Sequence, residues 1–177
     1  MFFFTILSVI ADSEQKQIMK AELNNDFEVR TFTEEYRYEV ASFLRDVLQE
    51  YKLLNDAGDL SSIMARISRR YSDENAGFWL LKRDNKIIGT VALRPHGEFT
   101  AEIERLYLKR RFRGRGIGTT LLKFVEDHAH KLGYRRLFVS CPKVMLQGNL
   151  FLEKADYRIV GNSLQESDDN LFEKELF

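Results

Sequence analysis

The chain has 177 residues, and its 27 basic and 27 acidic side chains give a formal net charge of zero. That length favours one compact domain over two, and the neutral balance supplies no global pull toward nucleic acid or an anionic membrane surface. Cys141 is the only cysteine, which excludes an internal disulfide and suits a reducing compartment, so a cytoplasmic location is expected.

Met1–Ile10 is strongly apolar, yet it is too short to span a bilayer and lacks the basic residues that open a secretory signal. We read it as an extra strand or helix that packs on the domain or on a second copy, the latter giving a homodimer. Residues 11–26 read as a polar connector, so the organisation is an extension over 1–26 and a domain over 27–177. Phe27–Phe32 suggests a first strand. Thr33 is placed as the N-cap of an amphipathic helix carrying Tyr36, Val40, Phe43, Leu44, Val47, Leu48 and Tyr51. Ser61 or Ser62 is expected to cap a second helix, with Ile63, Ile67 and Tyr71 inward. Phe78–Leu81 and Ile87–Leu93 flank Arg83–Lys86 as a hairpin. Ala101–Leu108 alternates as a strand, and Thr119–Leu132 carries Leu121, Leu122, Val125, Ala129 and Leu132 at helical spacing, with Gly133 as C-cap. A strand over Tyr134–Cys141, a short helix near Asn149–Lys154 and a closing hairpin complete the order.

Between that strand and helix lies Arg113-Gly114-Arg115-Gly116-Ile117-Gly118. Glycines let the backbone approach a ligand, and the unpaired N–H groups and positive dipole end of a new helix favour an anion, so a phosphate cradle is the natural reading. A Rossmann fingerprint would need the first strand and helix of a parallel unit and an acidic residue roughly 20 positions on. Here the glycines come late, and Arg135, Arg136 and Leu137 occupy that distance. With its flanks the segment instead resembles the acetyl-CoA motif of the GNAT superfamily of N-acetyltransferases, Arg/Gln-x-x-Gly-x-Gly/Ala, through Arg113, Gly116 and Gly118. Ala101–Leu108 is similar to the family's fourth strand, Phe151–Tyr157 to its "fYeklGF" segment and Phe172–Leu176 to its last strand.

The resemblance implies an α/β (α+β) fold with a central mixed, mostly antiparallel sheet, a splayed parallel strand pair and helices on both faces. It implies acetyl-CoA as cosubstrate and a primary amine as acceptor, small molecule or protein. The backbone of Leu106, Tyr107 and Leu108 would pair with the pantetheine amides, and Arg113, Gly114, Arg115, Gly116, Ile117, Gly118 and Thr119 would wrap the pyrophosphate. The run Lys109–Arg115 holds five cations in seven residues. Arg113 and Arg115 are read as phosphate contacts, Lys109 and Arg110 as a solvated face, and a nucleic-acid patch is set aside because no basic helix or recognised module accompanies it.

Amines are protonated near neutral pH, so attack on a thioester needs a base. The resemblance gives that role to Glu102, with Glu104 on the same strand face as second choice; the competing reading makes both surface glutamates. Leu152 stands where the family has its general-acid tyrosine, and Met145 where an asparagine often meets the cofactor. Either the thiolate leaves without a dedicated acid, with Tyr107, Ser140, Cys141 and Tyr157 as substitutes, or the chain is a non-catalytic acyl-CoA sensor or interaction module. Cys141 as a nucleophile and a site built on His96, His128 and His130 find no support in spacing, so no metal is expected. Tyr36, Tyr38, Asp46 and Glu50 are candidates for the acceptor pocket, against their reading as core and surface.

Overall fold

The computed structural model describes residues 26–53, 57–71, 75–162 and 169–177. The expectations for Met1–Ile10 and for its connector up to residue 25 lie outside them. Seven strands form one sheet: β1 (Glu28–Thr31), β2 (Gly77–Arg83), β3 (Lys86–Gly97), β4 (Thr100–Leu108), β5 (Arg136–Pro142), β6 (Arg158–Asn162) and β7 (Asp169–Glu175), in the order β1-β2-β3-β4-β5-β7-β6. Among the described strands only β4 and β5 pair parallel. The helices are α1 (Arg37–Glu50), α2 (Ala57–Arg70), α3 (Ile117–Lys131) and α4 (Leu146–Lys154).

Two cores explain why the helices take opposite faces. Val40, Phe43, Leu44 and Val47 of α1 and Met64 and Ile67 of α2 pack on Phe78, Leu80 and Ala92. Leu121, Leu122, Val125 and Ala129 of α3, with Leu152 of α4, pack on Trp79, Leu81, Val91, Leu93, Ala101 and Ile103. Strand alternation separates the two sets: Phe78 and Leu80 point one way, Trp79 and Leu81 the other.

Three local readings change. Thr33 precedes a 3-10 turn, Glu34–Tyr36, and makes no side-chain cap bond; α1 begins only at Arg37. Ser61 and Ser62 lie inside α2, which starts by Ala57. α4 starts at Leu146, ahead of the expected Asn149. Of these, only the α2 serines are expected caps that the helix runs past, since α2 is already helical at Ala57. The β2–β3 turn behaves as its sequence suggests: Asp84 and Asn85 both take positive φ, 49° and 58°, the geometry of a tight two-residue hairpin.

Candidate active site

The site grows out of one irregularity. Along β4, Glu104 pairs with Ala92 but Tyr107 pairs with Thr90, so β4 holds one residue more than β3 across this step. The surplus is absorbed at Arg105, whose φ is +53°, and the Thr90 hydroxyl donates to the Arg105 carbonyl at 2.7 Å. A Cβ on Gly89 would stand 3.0 Å from the Tyr107 carbonyl oxygen, so β3 approaches the bulge closely only because residue 89 has no side chain. A bulge turns backbone groups out of the ladder. The sequence showed no sign of it, since Arg105 is a poor residue for positive φ.

On the other side, pairing between β4 and β5 stops at Ile103 and Val139. Beyond that point the strands part, and a cavity of about 400 Å³ opens between Ile103–Leu108 and Val139–Pro142. The rest of its wall includes Tyr51, Arg113, Gly114, Gly116, Gly118, Thr119, Leu121, Met145 and α4 residues such as Phe151 and Leu152. Gly114 and Gly116 take φ of +70° and +79°, and Gly116 is the residue from which α3 starts. No atom lies within 4 Å of a Cβ built on either glycine, so the turn presents bare backbone to open space. These features fit an extended ligand with a phosphate-bearing end: a cleft for the arm, outward backbone groups at the bulge, and a helix start for the anion.

Arg113 does more than face the cleft. Its Nε donates to the Leu108 carbonyl at 2.8 Å, and its Nη1 reaches Glu50 at 2.6 Å and the Tyr51 hydroxyl at 2.8 Å. It therefore ties the glycine turn to the end of β4 and to α1. Arg115 is exposed, Lys109 pairs with Asp46, and Arg111 lies over the Phe112 ring. Among Tyr36, Tyr38, Asp46 and Glu50, none lines the cleft: Tyr36 sits under the Lys82 ammonium, Tyr38 is exposed, and the two acids hold Lys109 and Arg113.

The two glutamates are close neighbours in unlike surroundings. Glu104 lines the cleft and is gripped by Arg70, whose Nε lies at 2.8 Å, and by the Tyr71 hydroxyl at 2.5 Å, with Arg94 at 3.4 Å. Burial alone would push its carboxyl up, but the bonds from Arg70 and Tyr71 outweigh it and bring it down to about 2. Glu102 is only 2% exposed and is absent from the cleft wall. Arg94 holds one of its oxygens and the Ser140 hydroxyl donates to the other at 3.3 Å. Burial, helped by the charge of Glu104, raises its carboxyl despite Arg94. Arg70, Tyr71 and Arg94 were not anticipated. Arg94 stands opposite Glu102 only because the β3–β4 register shifts between Pro95 and Gly97, which the sequence does not reveal.

Leu152 is buried in the cleft wall with Met145. Tyr157 lies outside the cleft, buried, its hydroxyl donating to Glu126 at 2.9 Å. Cys141 lines the cleft, but burial pushes its thiol up to about 12, which leaves almost no thiolate at neutral pH. Tyr107 also lines the cleft; burial raises its phenol against the opposing charge and hydrogen bond of Arg105. Among the described residues no group of three His, Cys, Asp or Glu side chains is placed to hold a metal, and no helix is long and apolar enough to cross a membrane.

A mixed sheet with a splayed parallel pair, opening on a glycine-rich helix start, is the architecture that the resemblance to the GNAT superfamily implied. Residues 29–150 match the model of the Acetyltransferase (GNAT) family, and the chain belongs to that family. It is 33% identical over 100 residues to Probable N-acetyltransferase 14 of Xenopus tropicalis, a match covering 55% of this chain and 48% of the relative. Over 106 residues it is 30% identical to human N-acetylaspartate synthetase, covering 59% of this chain and 35% of that protein. The chain thus spans about half or less of these relatives. Among solved structures, a GNAT-family acetyltransferase from Staphylococcus aureus Mu50 superposes with a TM-score of 0.77 at 16% identity, covering 85% of this chain and 99% of the other. The PaiA N-acetyltransferase of Thermoplasma acidophilum in complex with coenzyme A superposes with a TM-score of 0.69 at 22% identity and the same coverage.

Proposed function

We propose that this chain, through a domain over residues 27–177, is an acetyl-CoA-dependent N-acetyltransferase in which a primary amine attacks the thioester directly. The observation that carries this reading is the bulged, splayed β4–β5 cleft ending on Gly114–Thr119 in a chain of the GNAT family. When bound, the cosubstrate supplies an acetyl group activated as a thioester. The backbone of Leu106, Tyr107 and Leu108 would hold its pantetheine arm, and residues 113–119 its pyrophosphate, with Arg115 free to meet phosphate while Arg113 braces the turn.

Glu102 is the base in this reading. Glu104, nearer the cleft, titrates near 2 and is a poor proton acceptor at neutral pH, so it serves to hold Arg70, Tyr71 and Arg94 in place. Thiolate departure has no donor at Leu152. An aliphatic thiol with a pKa of about 8.5 leaves without one when N–H groups stabilise it, and Tyr51 and Tyr107 are the phenols that line the cleft.

The apolar Leu152 also favours a second reading, an acyl-CoA sensor. The two separate on one assay: thiol release from acetyl-CoA with spermidine, L-aspartate and a tetrapeptide bearing a free N-terminus. L-aspartate is included because one relative is an N-acetylaspartate synthetase. Release above background with any of them supports the enzyme. Tight CoA binding with none supports the sensor.

A further inference from the structure

A base must reach its proton, and Glu102 does not touch the cleft. Ser140 bridges that gap. The β4–β5 ladder ends at Ile103 and Val139, so Ser140 is the first residue of β5 beyond the fork. Phe138 pairs with Glu102, and Ser140, two residues on, projects from the same face. Ser140 lines the cleft, and its hydroxyl donates to Glu102 Oε1 at 3.3 Å. Arg94 occupies the other carboxylate oxygen, which leaves Oε1 as the atom turned toward Ser140.

We propose that Ser140 relays the proton of the acceptor amine to Glu102, an inference that rests on the reading of Glu102 as the base. The acceptor arrives as an ammonium ion. One N–H proton passes to Ser140 Oγ while the serine's own O–H proton passes to Glu102 Oε1. The amine is left neutral with its lone pair free, the serine is again a hydroxyl, and Glu102 becomes a carboxylic acid that returns its proton to solvent by the reverse path after product leaves. The charges around Glu102 are Arg94 from β3, Arg70 from α2 and Glu104 from its own strand. Burial and Glu104 raise the carboxyl against the two arginines, which brings its basicity closer to the working pH. Glu104 offers no rival path, since Arg70 and Tyr71 already hold its oxygens.

The test uses the full chain with acetyl-CoA and the three acceptors named above, and follows thiol release against pH for wild type, Ser140→Ala, Ser140→Thr, Glu102→Gln and the Ser140→Ala/Glu102→Gln pair. We expect Ser140→Ala to lower kcat at neutral pH by about 10-fold or more, with KM for acetyl-CoA held within about 2-fold. Ser140→Thr, which keeps the hydroxyl, should restore most of the rate. The pair should be no slower than Glu102→Gln alone, because both substitutions cut one path. The deficit should shrink as pH rises and more amine arrives neutral. Carbon-13 titration of the Glu102 carboxyl should move upward in Ser140→Ala, since a donor to the carboxylate is lost. Wild-type kcat in Ser140→Ala beside a slow Glu102→Gln overturns the relay and leaves the base. A loss that is equal at every pH and not restored by threonine makes Ser140 structural and also overturns it. Unchanged turnover in Glu102→Gln overturns base and relay together, as does CoA binding by wild type with no turnover of any acceptor.

Discussion

Two halves of β4 work in opposite ways. From Ala101 to Glu104 the β3 ladder is regular, the inward glutamates are locked to arginines, a tyrosine and a serine, and the ladder with β5 is intact as far as Ile103. From Arg105 to Leu108 the register breaks and β5 has parted, so backbone groups leave the ladder beside the cleft. The first half handles protons with side chains, and its properties depend on burial and charge. The second offers shape and backbone hydrogen-bonding groups freed by the bulge. A bulge and a fork in neighbouring ladders place both kinds of surface within a few residues of one chain.

The largest effect should come from the backbone side. Gly116→Glu forces a side chain onto a φ of +79° and puts negative charge at the start of α3. The strain of about 1–2 kcal/mol is survivable for the fold, but CoA affinity measured by calorimetry should fall by roughly 100-fold or more, about 3 kcal/mol. An unchanged affinity in a folded variant would show that the glycine turn is not the phosphate site.

Next comes the proton side. Glu102→Gln keeps volume and loses the carboxylate, so turnover at neutral pH should drop by roughly 10²-fold with CoA affinity barely moved. If activity persists at all pH values, Glu102 is not the base.

Glu104 separates stability from catalysis. Its folded-state carboxyl lies below the ordinary carboxylate range, so its contribution is complete above about pH 5 and is lost as pH falls toward 2; for a drop from 4.5 to about 2 that is about 3 kcal/mol. Glu102, raised, acts in the opposite sense and opposes folding once ionised. Glu104→Gln should therefore lower unfolding stability in urea at pH 7 by about 2–3 kcal/mol, and its gap from wild type should narrow as pH falls from 5 toward 2. A gap that is constant with pH would mean that the carboxylate charge is not what holds Arg70 and Tyr71.

The smallest effects concern thiolate departure. Leu152→Tyr should change CoA binding by no more than a packing cost of about 1–3 kcal/mol, and it should gain rate only if the cleft works without a side-chain acid. Tyr157→Phe should leave turnover intact, since that hydroxyl is committed to Glu126. Should Tyr107→Phe lose most of its turnover with CoA bound, the phenol of Tyr107 is the acid and departure is not unaided.

Much of this was legible in the chain. Alternation in Ala101–Leu108, helical spacing from Leu121 to Ala129 and the glycines between them are local patterns, and local patterns dictate local structure; strand, turn and helix follow, and with them the anion-binding end of the cleft. The Asp84–Asn85 turn was readable for the same reason. Only tertiary structure decided the rest. The bulge at Arg105 exists because the β3 ladder and the close approach at Gly89 hold a residue of ordinary type in an unfavoured conformation. The unequal basicity of Glu102 and Glu104, two residues apart on one face, comes from Arg70 and Tyr71, more than thirty positions away in sequence. Ser140 meets Glu102 because the parallel ladder carries β5 just far enough before the fork. Periodicity encodes which face a residue takes; what it meets there depends on distant segments that the fold brings together.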